Sequence, residues 1–91
     1  MSFEVSDVVL SLSGRDAGKT FYVVGIEDEG FVLIADGRGR RVESPKRKKI
    51  KHLSLVKSGG GRAAAKLRDG ERVTNSELRR ALASEAALTE E

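Results

Sequence analysis

The most chemically distinctive segment of this 91-residue chain is the run 46–51, in which five of the six residues are cationic. Like charges this close together repel one another, so the run favours a polyanion that neutralises them. Three arginines precede the run and add to the same region: Arg38, Arg40 and Arg41. Ammonium and guanidinium groups contact phosphate oxygens, so this region predicts electrostatic binding of a nucleic-acid backbone. The alternative is a solvated loop that only keeps the protein soluble.

Charge is unevenly distributed along the chain, whose formal net charge is +3. Residues 1–36 sum to −5, residues 37–66 to +10 and residues 67–91 to −2. A basic segment between two acidic ones gives a polarised molecule, and this polarity also indicates a polyanion partner. The sequence has no helix-turn-helix or basic-helix pattern, which disfavours reading of the DNA major groove and favours irregular RNA.

The chain lacks residue types that catalytic and metal-dependent functions need. The chain has no cysteine and a single histidine, His52, which excludes disulfides, thiolate metal sites, thiol nucleophiles and two-histidine mechanisms. Residues 14–20 (GRDAGKT) resemble a phosphate-binding loop, but three residues separate the glycines instead of four, and a strand-like segment follows instead of a helix. We therefore expect no enzyme activity, no cofactor and no metal.

Alternating and β-branched apolar segments predict five short strands in the first part of the chain. They lie at about 7–13, 20–26, 31–35, 40–43 and 52–56. Pro45 is expected to end the fourth strand, because proline cannot donate a ladder hydrogen bond. Five short strands with tight turns predict a small β-barrel over residues 1–57. For Phe21 and Tyr22, filling the core is the favoured role and stacking on a nucleobase is the alternative.

The composition changes at residues 58–61 (SGGG), where three consecutive glycines predict a flexible joint. Residues 62–91 are then expected to form a helical C-terminal tail. Two residue pairs mark the start of a helix near residue 75: Thr74 and Glu77 as a capping box, Val73 and Leu78 as a hydrophobic staple. Because the apolar face of this helix is narrow, it either packs lightly or binds a protein partner.

The segment from Val9 to Val24 resembles a KOW motif, in which an apolar strand, a turn with a characteristic glycine and a second apolar strand follow one another. Gly18 matches the characteristic glycine, and Gly14 with Gly18 allows the positive φ or close approach that such a turn needs. Over roughly residues 6–57 the chain is similar to small bacterial KOW-domain RNA-binding proteins and to the KOW-type large-subunit ribosomal proteins.

The resemblance implies a mainly β chain with a five-stranded Src-homology-3-like barrel and a C-terminal helical extension. It also implies a non-catalytic RNA-binding protein that associates with ribosomal RNA or the large ribosomal subunit and acts in translation. The turn and the basic region together supply the expected RNA contacts: Arg15, Lys19, Arg38, Arg40, Arg41, Lys46, Arg47, Lys48, Lys49 and Lys51.

Two other functions remain open at this point. One is a protein–protein adaptor that uses the acidic strands and the C-terminal helix, and the other is a transcription-elongation accessory KOW domain. A membrane partner is not expected, because the longest apolar run, residues 31–35, is far shorter than the ~20 residues of a membrane span. The chain start also lacks a signal-peptide pattern, so we expect a cytoplasmic protein.

Overall fold

The described residues form five strands and two α-helices. The computed structural model describes residues 2–28 and 30–89, the last four by their backbone alone. Residues 1, 29, 90 and 91, which belong to the ranges expected for the barrel and the tail, lie outside this description. The elements are β1 (Asp7–Ser11), β2 (Thr20–Asp28), β3 (Phe31–Ala35), β4 (Lys46–Lys49), a 3₁₀ turn (Ile50–His52), β5 (Leu53–Ser58), α1 (Arg62–Arg68) and α2 (Asn75–Thr89).

The five strands form one antiparallel sheet in the order β4-β3-β2-β1-β5, which confirms the mainly β prediction. The sheet is curled, since register shifts leave extra residues in β2 and β5, and such bulges bend and twist a strand. No ladder joins β4 to β5 within the described residues, so the sheet does not close into the small β-barrel that the sequence predicted. The 3₁₀ turn carries the chain from one edge of the sheet to the other, and no other described strand pairs with the outer side of either edge strand.

The fourth strand is the basic run itself, and not residues 40–43 as the sequence predicted. The Asp36 carboxylate accepts hydrogen bonds from the backbone N–H of Arg38 and of Arg40, which keeps this segment in a loop. Pro45 precedes the strand instead of ending it. Lysine is a poor strand former, but an edge strand tolerates charges that face solvent, and lysines there oppose pairing with another chain.

The sheet has an apolar core on each face, because successive side chains in a strand alternate between faces. One core consists of residues from the strands and from the N-terminal segment: Phe3, Val9, Phe21, Val23, Val32, Ile34 and Leu53. The other joins the opposite face of the sheet to the helical part: Val8, Tyr22, Ala35, Ala63, Ala64, Val73 and Leu78. The two helices therefore cover one face of the sheet, which the sequence left undecided.

The glycine segment between β5 and α1 is packed at Gly59. Its N–H donates to the Ser6 carbonyl at 3.0 Å, and a Cβ at this position would overlap that carbonyl oxygen and the Ala64 methyl group. The Arg68 guanidinium also donates to the Gly59 carbonyl at 2.9 Å. Gly59, within the joint expected at 58–61, is thus a close backbone approach between sheet and helix.

The start of α2 confirms the predicted cap. The Thr74 N–H donates to the Glu77 carboxylate at 2.9 Å, and the Glu77 N–H donates to the Thr74 hydroxyl at 3.1 Å. Val73 and Leu78 are buried in the same core, as the staple required. Nearer its other end, Glu85 joins α2 to the sheet.

Glu85 is buried and bonded to two strands. The Tyr22 hydroxyl of β2 donates to its carboxylate at 2.5 Å, and the Lys57 ammonium of β5 lies 3.1 Å from its other oxygen. Burial first, and then the hydrogen bond and charge of Glu85, raise the pKa of Tyr22 far above its usual value. A neutral phenol therefore helps to hold α2 against the sheet.

Candidate nucleic-acid interface

A turn between the first two strands lies in contact with two consecutive cationic segments that are distant from it in the sequence. The three segments are the β1–β2 turn (residues 12–19), the β3–β4 loop (residues 36–45) and β4. Asp16 of the turn forms an ion pair with Arg40 of the loop at 2.9 Å. The Lys48 ammonium of β4 donates to the Ser13 carbonyl at the start of the turn, at 3.1 Å. We call these three segments, together with Lys51, the basic surface.

The β1–β2 turn depends on its two glycines. Gly14 and Gly18 have φ values of +80° and +87°, in the left-handed region that other residues rarely adopt. The Gly18 N–H donates to the Ser11 carbonyl at 2.8 Å, which closes the turn. Both positions therefore play the structural role that the sequence predicted, and the exposed side chains of Arg15 and Lys19 flank the turn.

Six of the ten cations predicted to bind RNA are exposed, and none of the six side chains makes an ion pair or hydrogen bond to another residue that the structure describes. Such groups keep their full charge and donors for an external anion. They are Arg15, Lys19, Arg38, Lys46, Lys49 and Lys51.

Three predicted contacts are arginines that carboxylates of the same chain already hold. Arg40 is paired with Asp16, Arg41 with Glu43, and Arg47 with Glu27 and Asp28. These partners reduce the charge that each arginine offers to RNA, and phosphate contact by these three residues stays a prediction. Sequence reasoning missed the pairs because each depends on which loop lies beside which strand.

The Arg41–Glu43 pair is the most open of the three, since both side chains are more than half exposed. Water screens such a pair, and exposed ion pairs contribute little to stability. Hydrogen bonds from Asn75, and then from Arg41, lower the pKa of Glu43 to about 2. The Asp16–Arg40 pair is more enclosed, with the Asp16 side chain only 10% exposed, and it joins two segments of the basic surface.

The cations of β4 are divided between the two faces of the sheet. Lys46 and Lys48 are opposite Ile34 and Val32, whereas Arg47 and Lys49 are opposite Leu33 and Phe31 on the other face. The bond from Lys48 to the β1–β2 turn shows that the first pair faces this turn. The basic surface therefore wraps around an edge strand and is not a single flat patch.

One cation at the basic surface was missed by the sequence reasoning. Arg79 of α2 lines a cleft of about 410 Å³ together with Lys19 and Arg38, and its guanidinium donates to the Gly37 carbonyl at 2.6 Å. Asp36 also lines the cleft, and its carboxylate accepts two backbone N–H bonds there. No sequence signal links Arg79 to residues about 40 to 60 positions earlier, because only the packing of α2 brings them together.

The aromatic residues do not take the stacking role considered for them. Phe21 and Tyr22 are fully buried, so neither ring is accessible to a nucleobase. Phe31 is the one aromatic residue of the chain that is only partly buried, and the Arg47 guanidinium lies 3.5 Å from the centre of its ring.

Comparison with models of known protein families finds no match to this chain, and no curated protein matches its sequence. Among residues 2–28 and 30–89, no group of three or more His, Cys, Asp or Glu side chains is placed to hold a metal ion. In the same ranges, no helix combines the length and the apolar character needed to cross a bilayer.

Proposed function

We propose that this chain is a non-catalytic RNA-binding protein that associates with ribosomal RNA of the large subunit and acts in translation in the cytoplasm. The supporting observation is the contact of the β1–β2 turn with the β3–β4 loop and β4, which gathers exposed cations that have no acidic partner among the described residues. RNA is favoured over DNA because the surface consists of a turn, a loop and a strand edge, which suit irregular shapes better than a major groove.

The proposal also covers the type of fold to which the sheet belongs. We assign the curled five-stranded sheet to an open Src-homology-3-like fold of the KOW type. Its support is the β1–β2 turn, where Gly14 and Gly18 both have positive φ and hold the chain reversal between two apolar strands. In this assignment the turn and the neighbouring loop form the RNA-facing end of the sheet.

The mechanism is electrostatic docking of phosphates on the six exposed cations. Each contact releases condensed counterions, so the logarithm of affinity falls with the logarithm of salt concentration by about 0.7 to 0.9 per contact. If all six cations bind phosphates, the slope is roughly −4 to −5. The carboxylate-held Arg40 and Arg47 keep the loop and β4 in place, so less ordering entropy is lost when RNA binds.

A charge-reversal pair of variants tests this function. In one variant Lys19, Arg38 and Lys49 are each changed to Glu, and in the matched control three exposed helix-side arginines are changed: Arg62, Arg72 and Arg80. Both lose six units of charge. Binding to ribosomal RNA is measured by filter retention across a salt series, with the fold checked by circular dichroism.

We expect the first variant to bind at least tenfold more weakly at 0.15 M salt, with a shallower salt slope, and the control to change much less. At this ionic strength charges more than about 8 Å from the phosphates are largely screened. Equal losses in both variants would show that net charge alone drives binding, which contradicts the proposed interface.

Sedimentation of the tagged protein through a sucrose gradient of cell lysate tests the ribosomal part. We expect comigration with large subunits that is lost at high salt and in the interface variant. Purification with RNA polymerase instead would replace this assignment with a transcription-elongation accessory role.

A protein–protein adaptor is the second candidate, because the unpaired edge strand β5 carries exposed apolar side chains. Leu55 and Val56 are 53% and 42% exposed, and Leu12 beyond the end of β1 is 54% exposed. Unlike β4, this edge has no free lysine to oppose pairing with another chain, since Lys57 is bonded to Glu85. RNA affinity that does not change on reversal of Lys19, Arg38 and Lys49 would favour the adaptor.

A further inference from the structure

A cleft of about 700 Å³ lies where the β2–β3 hairpin meets the end of β4. Its lining combines an aromatic ring, apolar side chains and two lysines: Gly30, Phe31, Lys49, Ile50, Lys51 and Leu53. Its volume is within the range of roughly 300–1,000 Å³ that is typical of small-ligand sites. The size and the mixed lining call for a ligand with both a flat apolar part and a negative charge.

The ring of Phe31 is held in place by Arg47. The Arg47 guanidinium lies over one face of the ring, 3.5 Å from its centre, and is itself bonded to Glu27 and close to Asp28. Phe31 lines the cleft and Arg47 does not, so Arg47 holds the ring from outside the cleft. Arg47 is therefore a positioning residue that fixes an aromatic surface at the wall of the cleft.

Two ammonium groups border the same cleft. Lys49 and Lys51 are exposed, and neither makes an ion pair or side-chain hydrogen bond within the described part of the chain. The floor is apolar, because Leu53 is buried and Ile50 packs against the core of the sheet. Among the described residues that line the cleft, the lysines offer partners to an anionic group, and Phe31 and the floor offer partners to an apolar ring.

We propose that this cleft binds one unpaired nucleotide of the RNA, with the base against the Phe31 ring and the adjoining phosphates on Lys49 and Lys51. The proposal rests on the proposed function and deepens it by naming the kind of RNA that is bound. A base inside a duplex has both faces stacked on its neighbours, whereas an unpaired base is free to stack on an aromatic side chain. The protein therefore prefers single-stranded segments, loops or bulges to a continuous duplex.

The test compares a single-stranded RNA oligonucleotide with the same strand annealed to its complement, in low and moderate salt. Phe31→Leu keeps an apolar side chain and the net charge but removes the aromatic face. Phe31→Trp keeps an aromatic face and, because the chain has no tryptophan, also places a single fluorophore in the cleft. Leu55→Trp puts the same fluorophore on the exposed edge strand β5 as the matched control.

We expect Phe31→Leu to weaken single-strand binding about five- to tenfold, the lower end of what one stacked base contributes, and to leave duplex binding unchanged. Phe31→Trp is expected to retain the wild-type affinity, and its fluorescence is expected to fall when the single strand is added but not when the duplex is added. The fluorescence of Leu55→Trp is expected to stay constant with both.

Equal binding of both RNA forms, with no effect of Phe31→Leu, would overturn this inference while the salt-dependent affinity of the basic surface remained. If neither RNA form binds with a steep salt dependence, the proposed function itself fails. An equal loss of fluorescence in the Phe31→Trp and Leu55→Trp variants would also overturn the inference, because it would show nonspecific quenching.

Discussion

Asp16 and Arg40 form an ion pair in which two guanidinium nitrogens of Arg40 each lie 2.9 Å from the same carboxylate oxygen. The pair joins the β1–β2 turn to the β3–β4 loop, and it is partly enclosed, since the side chains are 10% and 30% exposed. One cation that the sequence assigned to RNA thus holds together the segments that carry other cations. We expect Arg40 to contribute to RNA binding by fixing the position of the turn.

A double-mutant cycle with Asp16→Asn and Arg40→Gln measures this link. Hydrogen bonds to charged groups contribute about 1.5–3 kcal/mol, so we expect each single variant to lower the free energy of unfolding by roughly 1–2 kcal/mol. The double variant is expected to lose less than the sum of the two, with a coupling near 1 kcal/mol. Urea unfolding followed by circular dichroism gives these values. Strictly additive losses would mean that the pair does not stabilise the fold.

Arg38 and Arg41 are close in the same loop but differ in their partners. Replacing each in turn therefore compares the RNA binding of a free arginine with that of a paired one. Arg41 is paired with Glu43, whereas the Arg38 side chain has no partner among the described residues. We expect Arg38→Gln to weaken RNA binding and to lower the salt slope by about one contact, and Arg41→Gln to have a smaller effect. Filter binding across a salt series measures both. A larger effect of Arg41→Gln would indicate that RNA displaces Glu43.

Gly59 and Gly60 are neighbours with opposite tolerance for a side chain. A Cβ at Gly59 would overlap the Ser6 carbonyl and the Ala64 methyl, while a Cβ at Gly60 would meet no atom within 4 Å. We expect Gly59→Ala to lower the free energy of unfolding by about 1–3 kcal/mol through overpacking. Gly60→Ala is expected to be neutral or slightly stabilising, because it restricts the unfolded chain. Urea unfolding distinguishes the two, and equal stability of both variants would contradict the packed connection.

The stability of the fold is expected to fall in acid partly through Glu77. The hydrogen bond from Lys66, and then that from the Thr74 amide, lower the pKa of Glu77 to about 2, from a usual value of 4.5. Because the pKa is depressed in the folded state, the ionised carboxylate stabilises the fold above about pH 4.5, and this contribution is lost as the pH falls towards 2. Below that range both states carry a neutral carboxyl group.

Glu77→Gln tests this assignment, since it removes the charge and keeps a side chain compatible with the cap. We expect wild type to be more stable than the variant at pH 7, and the difference to shrink between pH 4.5 and 2. Thermal unfolding at a series of pH values measures it. Glu71→Gln is the control, because it removes an exposed carboxylate of the same α1–α2 segment that makes no side-chain bond to a described residue. A constant difference for Glu77→Gln across this pH range would contradict the assignment.

Features set by neighbouring residues were predictable from the sequence. The cap formed by Thr74 and Glu77 needs only two residues three positions apart, and both of its hydrogen bonds are present. The turn glycines Gly14 and Gly18 were predictable for the same reason, since a positive φ is a property of one residue. Three of the predicted strands also agree closely with β2, β3 and β5, because a period of two or a β-branched run is read locally.

The fourth strand shows where local reasoning fails. Residues 40–43 have no better strand preference than many loops, and the Asp36 side chain holds the preceding turn through two backbone N–H groups. Residues 46–49 become a strand because they pair with β3, and a tertiary partner overrides a poor intrinsic preference. The open edge between β4 and β5 likewise depends on the curvature of the whole sheet.

The sequence by itself determined that this chain has an antiparallel β-rich part, a capped helix and an excess of cations in its middle third, because composition and short-range spacing encode these properties. Only the tertiary structure decided which cations stay free. Asp16 is 24 residues from Arg40, and Glu27 is 20 residues from Arg47, so their pairing depends on which strands and loops become neighbours. Coulomb attraction acts over a few ångströms of space and not along the chain, and sheet register and helix packing set those distances.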